Sequence, residues 1–265
     1  MRSKSFKFPS RGLTLIELMV AIALGLLLVA VVVQIYAGSK ATYNKQEDLS
    51  RLQENGQVAL EIIGRSARIA GFKSNPTNAL TGPLLPTSPL EVFGTPGAAN
   101  VSDSLNILFQ GSGNGTGAPN AADGSVVDCM GVAIDATQNP LGSTFNRFSI
   151  ANNAAGRPGL VCDNSDNATD DGVEIVSEIE HLRFLYGIDT SGDFVADFYV
   201  PAGAVLNWNQ VVSLRIGLVA ATPNTINPTL DTQTYNVLGN TYNPTDDRRS
   251  RRLYTLTIAL RNRTP

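Results

Sequence analysis

The sequence predicts an α+β fold in which one long N-terminal helix packs its second half on an antiparallel β-rich head. Three observations support this prediction: an apolar run over residues 13–33, apolar residues at helical spacing up to residue 70, and alternating apolar residues near the C-terminus. No proline lies between Pro9 and Pro76, so nothing there forces a helix to end. We therefore expect a single helix over about residues 13–70.

The apolar run, LTLIELMVAIALGLLLVAVVV, has 21 residues and one charge, Glu17. Such a length suits a helix that crosses a bilayer core of about 30 Å, and the basic residues before it favour a cytoplasmic N-terminus. An ordinary signal peptide would be cut near Ala21–Ala23, but the apolar run continues beyond that point. A plain membrane anchor is the other alternative, and it leaves unexplained a carboxylate that costs roughly 2.5–3.5 kcal/mol to insert.

The second half of the predicted helix is amphipathic. Its apolar and small residues recur at steps of three and four and mark one face: Leu49, Leu52, Gly56, Ala59, Ile63, Ala67 and Ala70. We expect this face to pack on the head. Gly71 is a suitable C-cap for the helix.

The chain after residue 72 combines turn-rich segments with short runs typical of strands. Residues 73–125 and 151–171 are rich in Gly, Pro, Asn, Asp, Ser and Thr, which favours loops. Strands are predicted at 104–110, 131–135, 173–186, 194–200, 211–219 and 254–260. These strands predict an antiparallel head.

Residues 11–22, RGLTLIELMVAI, resemble the class III signal of type IV prepilins. The resemblance implies that a prepilin peptidase cuts between Gly12 and Leu13, that the new amine of Leu13 is methylated, and that Glu17 serves in assembly. Most members of the family have phenylalanine where Leu13 stands, and leucine is tolerated among minor pilins. An amine and a carboxylate in an apolar medium are each costly alone, so pairing between neighbouring subunits would favour one axial register.

The C-terminal part resembles the PilW group of minor pilins. The similar segments lie between residues 178 and 263 and include IEHLRFLYGID, WNQVVSLRIGL, YNVLGN and DDRRSRRLYTLTIALRNR. Residues 80–170 match no family segment. The resemblance implies a protein that helps to start a pilus, near its tip, for functions such as twitching motility and adhesion.

The resemblance also implies partners and a location. The expected partners are other minor pilins, the major pilin, the prepilin peptidase, the inner membrane and the pilus assembly platform. The expected location is the inner membrane, with one span and a periplasmic head, and then the pilus at the cell surface. The corresponding segments are a leader at 1–12, a membrane-spanning part at 13–34, an amphipathic part at 35–72, and a head at 73–265 with variable loops at 73–171.

Two other functions remain open from the sequence. A pseudopilin of type II secretion, of the GspJ class, shares the N-terminal signal. A tip adhesin or a DNA-uptake subunit is compatible with the same architecture, and four arginines at positions 248, 249, 251 and 252 offer a basic cluster, although a solvated turn is the simpler interpretation. Removal of the leader changes the net charge from -3 to -7, so no specific nucleic-acid partner is inferred.

Catalysis is not expected, because no catalytic constellation is present and His181 is the single histidine. Cys129 and Cys162 would form one disulfide in an exported domain, with two free buried thiols as the alternative.

No cofactor is expected, except that Asp189, Ser191, Asp193 and Asp197 resemble a calcium loop. No glutamate closes that loop at its twelfth position, and a hairpin turn is the alternative.

Overall fold

A computed structural model of the protein describes residue 12 and residues 14–72, 92–98, 100–112, 122–134, 143–164, 172–245 and 247–263. The chain divides into two compact units, residues 1–47 and 48–265. One helix, α1, spans Leu15–Ile69, in agreement with the predicted 13–70. The described strands are β1 (Val92–Thr95), β2 (Ser104–Gln110), β3 (Ser143–Asn152), β4 (Pro158–Asp163), β5 (Val173–Ser177), β6 (Ile179–Ile188), β7 (Phe198–Val200), β8 (Val211–Ala221), β9 (Tyr235–Val237), β10 (Asn240–Tyr242) and β11 (Arg251–Ala259).

Residues 15–47, the exposed part of α1, carry only exposed side chains. Large apolar side chains dominate its first five turns, with Leu15 77% and Leu28 65% exposed. By length and composition, α1 contains a stretch that is long and apolar enough to cross a membrane. Apolar residues all round a helix indicate a non-aqueous surrounding, either lipid or protein.

Residues 48–69, the packed part of α1, bury one face. The predicted stripe is confirmed, since its residues are buried except for the half-buried Leu49: Leu52, Gly56, Ala59, Ile63, Ala67 and Ala70. Small residues dominate this stripe, which lets the strand layer approach the helix axis closely. A Cβ on Gly56 would lie 2.4 Å from the Tyr254 ring of β11.

The end of α1 is fixed by β11 and by a glycine. Gly71 has φ +76°, the left-handed conformation that terminates helices, as the sequence predicted. The side-chain amide of Asn262, just after β11, donates to the carbonyls of Arg68 and Ala70 at 3.3 and 3.1 Å. These bonds satisfy two of the carbonyls that a helix C-terminus leaves without partners.

The described strands form three antiparallel sheets. One has the order β1-β2-β3-β4-β5, one has the order β11-β8-β6-β7, and β9 and β10 form a hairpin. The core lies between the packed part of α1 and these sheets, and it contains fully buried Phe109, Phe148, Phe184 and Tyr186. The antiparallel arrangement confirms the predicted α+β class.

The segment predicted as variable loops, 73–171, contains four strands where it is described. Only β2 was anticipated there. Its residues after Ser104 are buried on both faces, as are those of β4 after Pro158, so neither strand alternates between apolar and polar residues. β3 carries Asn146, which is fully buried. A strand with buried polar residues does not show the alternation of apolar and polar residues from which strands are predicted.

Three predicted strands need correction. Residues 131–135 do not form a strand in their described part, because Val127 and Ala133 make an isolated bridge around a turn. Residues 173–186 form two strands, β5 and β6, since Glu178 between them has φ +62°. Residues 194–200 form a strand only at Phe198–Val200, because the residues before it belong to a side-chain-capped turn.

Candidate functional site

The predicted processing site lies just before α1. At Gly12, no atom lies within 4 Å of the position that a Cβ would take. Leu13, the predicted methylated residue, lies outside the described residues. Glu17 is exposed in the first turn of α1.

Glu17 and Thr14 form a capping box at the start of α1. The Glu17 Oε2 atom accepts hydrogen bonds from the backbone N–H and the hydroxyl of Thr14, both at 3.3 Å. The Thr14 hydroxyl oxygen in turn accepts from the backbone N–H of Glu17 at 3.3 Å. This reciprocal arrangement satisfies two N–H groups that have no carbonyl partner within the helix.

The carboxylate of Glu17 has no counter-charge on its own helix nearby. The next charged residue along α1 is Lys40. At 1.5 Å per residue, that places it roughly 35 Å farther along the helix axis. Within the described residues Thr14 is the hydrogen-bond partner of Glu17, so any neutralising cation has to come from outside this part of the chain.

The two cysteines form the expected disulfide. Cys129 lies in the disulfide loop, residues 126–134, and Cys162 lies buried in β4, with 6.2 Å between their Cα atoms. Asp128, which is 4% exposed, organises this loop by accepting hydrogen bonds from the backbone N–H groups of Met130 and Val132 at 2.8 Å. The loop is therefore held by both a covalent bond and a buried carboxylate.

A polar relay connects the disulfide loop to the packed part of α1. The backbone N–H of Cys129 donates to Asn146 Oδ1 at 3.1 Å, and Asn146 Nδ2 donates to Ser66 Oγ at 3.2 Å. Asn146 is fully buried and Ser66 is 5% exposed. Because buried polar groups are costly without partners, this relay fixes the loop relative to the packed part of α1.

The predicted calcium residues form a turn in which the carboxylates accept backbone hydrogen bonds. Asp189 accepts from the N–H groups of Gly192 and Phe194 at 2.7 and 2.8 Å, and Asp197 accepts from the N–H of Thr190 at 2.8 Å. Burial opposes the effect, but these hydrogen bonds hold the pKa of Asp189 below its usual value.

The remaining two predicted ligands serve the same turn. Asp193 accepts from the N–H of Val195 at 2.9 Å, and the Ser191 hydroxyl donates to Asp189 at 3.2 Å. Among the described residues, no three Asp, Glu, His or Cys side chains are grouped so that they could hold a metal ion. Calcium binding at this turn stays a prediction.

A carboxylate–arginine network joins β6 and the residue before it, β11 and the segment between β8 and β11. Its members are Glu178, Glu180, Asp231, Asp247, Arg249 and Arg251. The Arg251 side chain is fully buried and bonds Glu180 at 2.6 Å, Asp247 at 2.8 Å and Asp231 at 3.2 Å. Arg249 bonds Glu180 at 3.0 Å and also contacts Glu178.

The network corrects the interpretation of the basic cluster. Arg249 and Arg251 are neither solvated nor available to DNA, since their guanidinium groups form ion pairs with carboxylates inside the fold. Burial opposes the effect, but hydrogen bonds from Arg251 and from the Arg249 N–H hold the pKa of Asp247 below its usual value. Arg248 and Arg252 are the exposed members of the cluster, and the Arg252 guanidinium lies 5.6 Å from the centroid of the Tyr254 ring.

His181 is structural. It is fully buried in β6, its ring stacks on Tyr242 with 4.6 Å between the centroids, and Nδ1 lies 3.4 Å from Ser102 Oγ. Burial, together with the charge of Arg183, lowers the pKa of His181 to about 4. The ring is therefore neutral near neutral pH.

Comparisons with known proteins match both ends of this architecture. Residues 7–33 match the prokaryotic N-terminal methylation motif, and residues 147–262 match the family of type IV pilus-assembly protein W. The chain is a type IV pilin-like protein. No curated protein matches it. A solved type IV-like pilin from Thermus thermophilus aligns over 81% of this chain and 99% of its own, with 11% identity and a TM-score of 0.45.

The matched regions confirm the resemblance seen in the sequence. They cover different parts of the chain. The methylation motif contains Gly12, Thr14 and Glu17. The PilW region contains β4 to β11, Cys162 and the carboxylate–arginine network. The matched PilW family is a family of structural proteins rather than of enzymes.

Neither the capping role of Thr14 nor the carboxylate–arginine network was predicted from the sequence. The signal for Thr14 was present, because Thr-x-x-Glu before an apolar run is a capping box. Glu180 and Arg251 are 71 positions apart in the sequence, and no local pattern pairs them.

Proposed function

We propose that this pilin-like protein is a minor pilin that primes the assembly of a type IV pilus, as part of a complex of minor pilins at the tip. The observation that carries the proposal is the presence, in one chain, of the methylation motif and the PilW region. The first supplies a helix suited to a filament core. The second is a head of the pilus-assembly class.

The arrangement around Gly12 supports processing at the proposed bond. A glycine with open surroundings offers a peptidase unhindered access to the backbone. Cleavage would place the new amine on Leu13, directly before the Thr14 cap. The protein would then remain in the inner membrane through α1 until assembly moves it into the pilus.

Glu17 is the group through which neighbouring subunits would recognise one another. Its carboxylate stands alone on a long apolar helix, and the nearest cation on that helix is far away. The amine of an adjacent subunit is a suitable partner, because pairing two charges in an apolar medium removes much of the cost of each. The proposed partners are the other minor pilins, the major pilin and the assembly platform.

A pseudopilin of type II secretion shares the N-terminal features. The PilW match favours the pilus over that alternative. The burial of Arg249 and Arg251 removes the main reason for proposing a DNA-uptake surface.

Deletion of the gene in its native host tests the proposal. Surface pili and secreted enzymes are scored side by side, with and without the gene restored. We expect loss of pili with normal secretion. Normal pili with failed secretion would assign the protein to type II secretion, and normal levels of both would overturn the proposal.

A mass measurement on the mature chain tests processing separately. The expected N-terminus is Leu13 with one added methyl group. An unprocessed chain, or a new N-terminus after residues 21–23, would contradict the prepilin assignment.

A further inference from the structure

β11 lies at the edge of its sheet, and its register shows which of its backbone groups face outward. β11 pairs with β8 without a bulge, from Arg251 opposite Ala221 to Ala259 opposite Ser213. Just beyond one end, the N–H of Leu260 donates to the Val212 carbonyl at 2.9 Å.

At the opposite end of β11, the residue that bonds to the β8 side also has an even number. There, the N–H of Thr222 donates to the Ser250 carbonyl at 2.9 Å. In an antiparallel ladder the hydrogen-bonded pairs alternate, so the even-numbered residues of β11 bond to β8.

The odd-numbered residues therefore direct their N–H and C=O groups away from β8. Leu253, Thr255, Thr257 and Ala259 form this outer edge of β11. Within the described residues, no strand pairs with this edge. Unpaired backbone groups in a row are a template for another strand.

The outer edge lacks the features with which proteins protect such strands. Natural edges carry prolines, bulges or charges, or are very short. From Leu253 to Ala259 there is no proline, bulge or charged residue. The opposite edge of the same sheet is β7, which has only three residues.

The side chains along the outer edge suit contact with a second polypeptide. Thr255 and Thr257 are exposed and Leu253 is 36% exposed, while Tyr254 and Leu256 are half-buried against the packed part of α1. A strand added beside β11 would widen the sheet. Its side chains would lie alternately on the face next to α1 and on the opposite face. Residues with high β-propensity and little charge at this position favour strand pairing.

We propose that the outer edge of β11 binds an extended segment of another pilus protein by strand addition. The segment has about five residues, is largely apolar and carries an acidic side chain near Arg252. This inference rests on the proposed function, because it takes the partner from the pilus.

A second copy of this chain fits the outer edge poorly. The packed part of α1 runs alongside β11, with Leu52 near Tyr254 and Arg68 near Asn262. Antiparallel self-pairing would set the two helices antiparallel, whereas subunits inserted into one membrane in the same sense have parallel helices. In a symmetric parallel pair, a two-fold axis parallel to the strands would place each backbone N–H group opposite the same N–H group of the second copy. No hydrogen bonds could then form between the two strands, which excludes this pairing.

Proline at Thr255 tests the proposal without breaking the ladder to β8. The N–H of Thr255 points outward, and proline is tolerated in edge strands at such positions. In the native host, Thr255→Pro should lower the amount of this chain in sheared pili, relative to the membrane fraction, by at least about tenfold. Thr255→Val, which keeps the N–H, is the matched control and should behave as the natural protein.

A crosslinking experiment keeps the test valid if the proline variant is degraded. Thr257→p-benzoylphenylalanine places a photoreactive group on the outer edge, and Thr241→p-benzoylphenylalanine places it on the exposed hairpin strand β10. We expect an adduct with a different pilus protein from position 257 and none from position 241. An adduct between two copies of this chain, equal adducts from both positions, or no adduct from position 257 would overturn the proposal.

The two proposals fail in different ways. Normal incorporation of Thr255→Pro in a host whose pili require the gene would overturn strand addition and leave the minor-pilin function intact. Normal pili in the deletion strain would overturn the function itself.

Discussion

The exposed and packed parts of α1 form one continuous helix with two opposite surface patterns. The exposed part is apolar around its whole circumference in its first turns, and none of its side chains is buried by the chain. The packed part buries a stripe of small and apolar residues, whereas most of its other residues are polar. The exposed part therefore needs other molecules to cover its apolar side chains, whereas the head of the same chain covers the apolar stripe of the packed part.

The largest effect on this comparison is expected from removing Glu17, the one charge in the apolar run of the exposed part. Glu17→Ala should leave processing largely intact and reduce incorporation into sheared pili by at least about tenfold, since the carboxylate that pairs with a neighbouring amine is lost. Incorporation is measured by immunoblot of sheared pili against membranes.

Thr14→Ala separates the two roles of Glu17. Both variants destroy the capping box, but only Glu17→Ala removes the carboxylate. Equal defects in the two variants would mean that capping, rather than subunit recognition, is the function of Glu17.

The next largest effect is expected where the head is stabilised by its own charges. Arg251→Met leaves Glu180, Asp231 and Asp247 without their buried partner, and should lower the free energy of unfolding by about 3–5 kcal/mol. The measurement is urea unfolding of the full-length chain in detergent, followed by the fluorescence of Trp208, the single tryptophan.

Arg252→Met is the control for this prediction, because Arg252 is exposed and should change stability by less than about 0.5 kcal/mol. Similar losses in the two variants would show that the buried ion pairs do not stabilise the head.

The same substitution in the two parts of α1 should have opposite effects. Gly56→Ala places a methyl group 2.4 Å from the Tyr254 ring and should cost about 1–3 kcal/mol of unfolding free energy. Gly38→Ala meets no atom within 4 Å and should stabilise the helix by up to about 1 kcal/mol. Thermal unfolding of both variants in detergent checks the difference, and a gain in stability for Gly56→Ala would refute the close packing.

The smallest predicted effect is a pH dependence in the head. The pKa of folded His181 is about 4, below the unfolded value of about 6.5, so the unfolded state binds a proton first as the pH falls. Stability from neutral His181 is complete above the unfolded pKa and is lost as the pH falls toward the folded pKa. Between about pH 7 and pH 5, the loss should be roughly 1–2 kcal/mol.

His181→Gln should flatten this part of the pH profile of unfolding free energy. Carboxylates such as Asp247, with a lowered pKa, act at lower pH and remain in both proteins. An unchanged slope in the variant would assign the dependence to another group.

The helix, its buried stripe, its end at Gly71 and strands β2, β8 and β11 could be predicted because local periodicity and glycine signals encode them. The other strands described within 73–171 could not be predicted, since β1 has only four residues, β4 is buried on both faces and lacks alternation, and β3 contains the buried Asn146. The first turn of α1 was readable from Gly12 and Glu17. The carboxylate–arginine network was not, because it joins residues far apart in the sequence.

The contact between Tyr254 and the packed part of α1 has a consequence for how the chain matures. The Tyr254 hydroxyl donates to the Leu52 carbonyl at 3.4 Å across 202 positions, and Tyr254 also fills the space beside Gly56. Closing so long a loop is entropically slow, and the strand that covers the helix is synthesised long after it. The stripe on α1 therefore stays uncovered until β11 has been translated and exported, so a chain truncated before β11 would display an unfinished helix face that quality-control proteases can recognise.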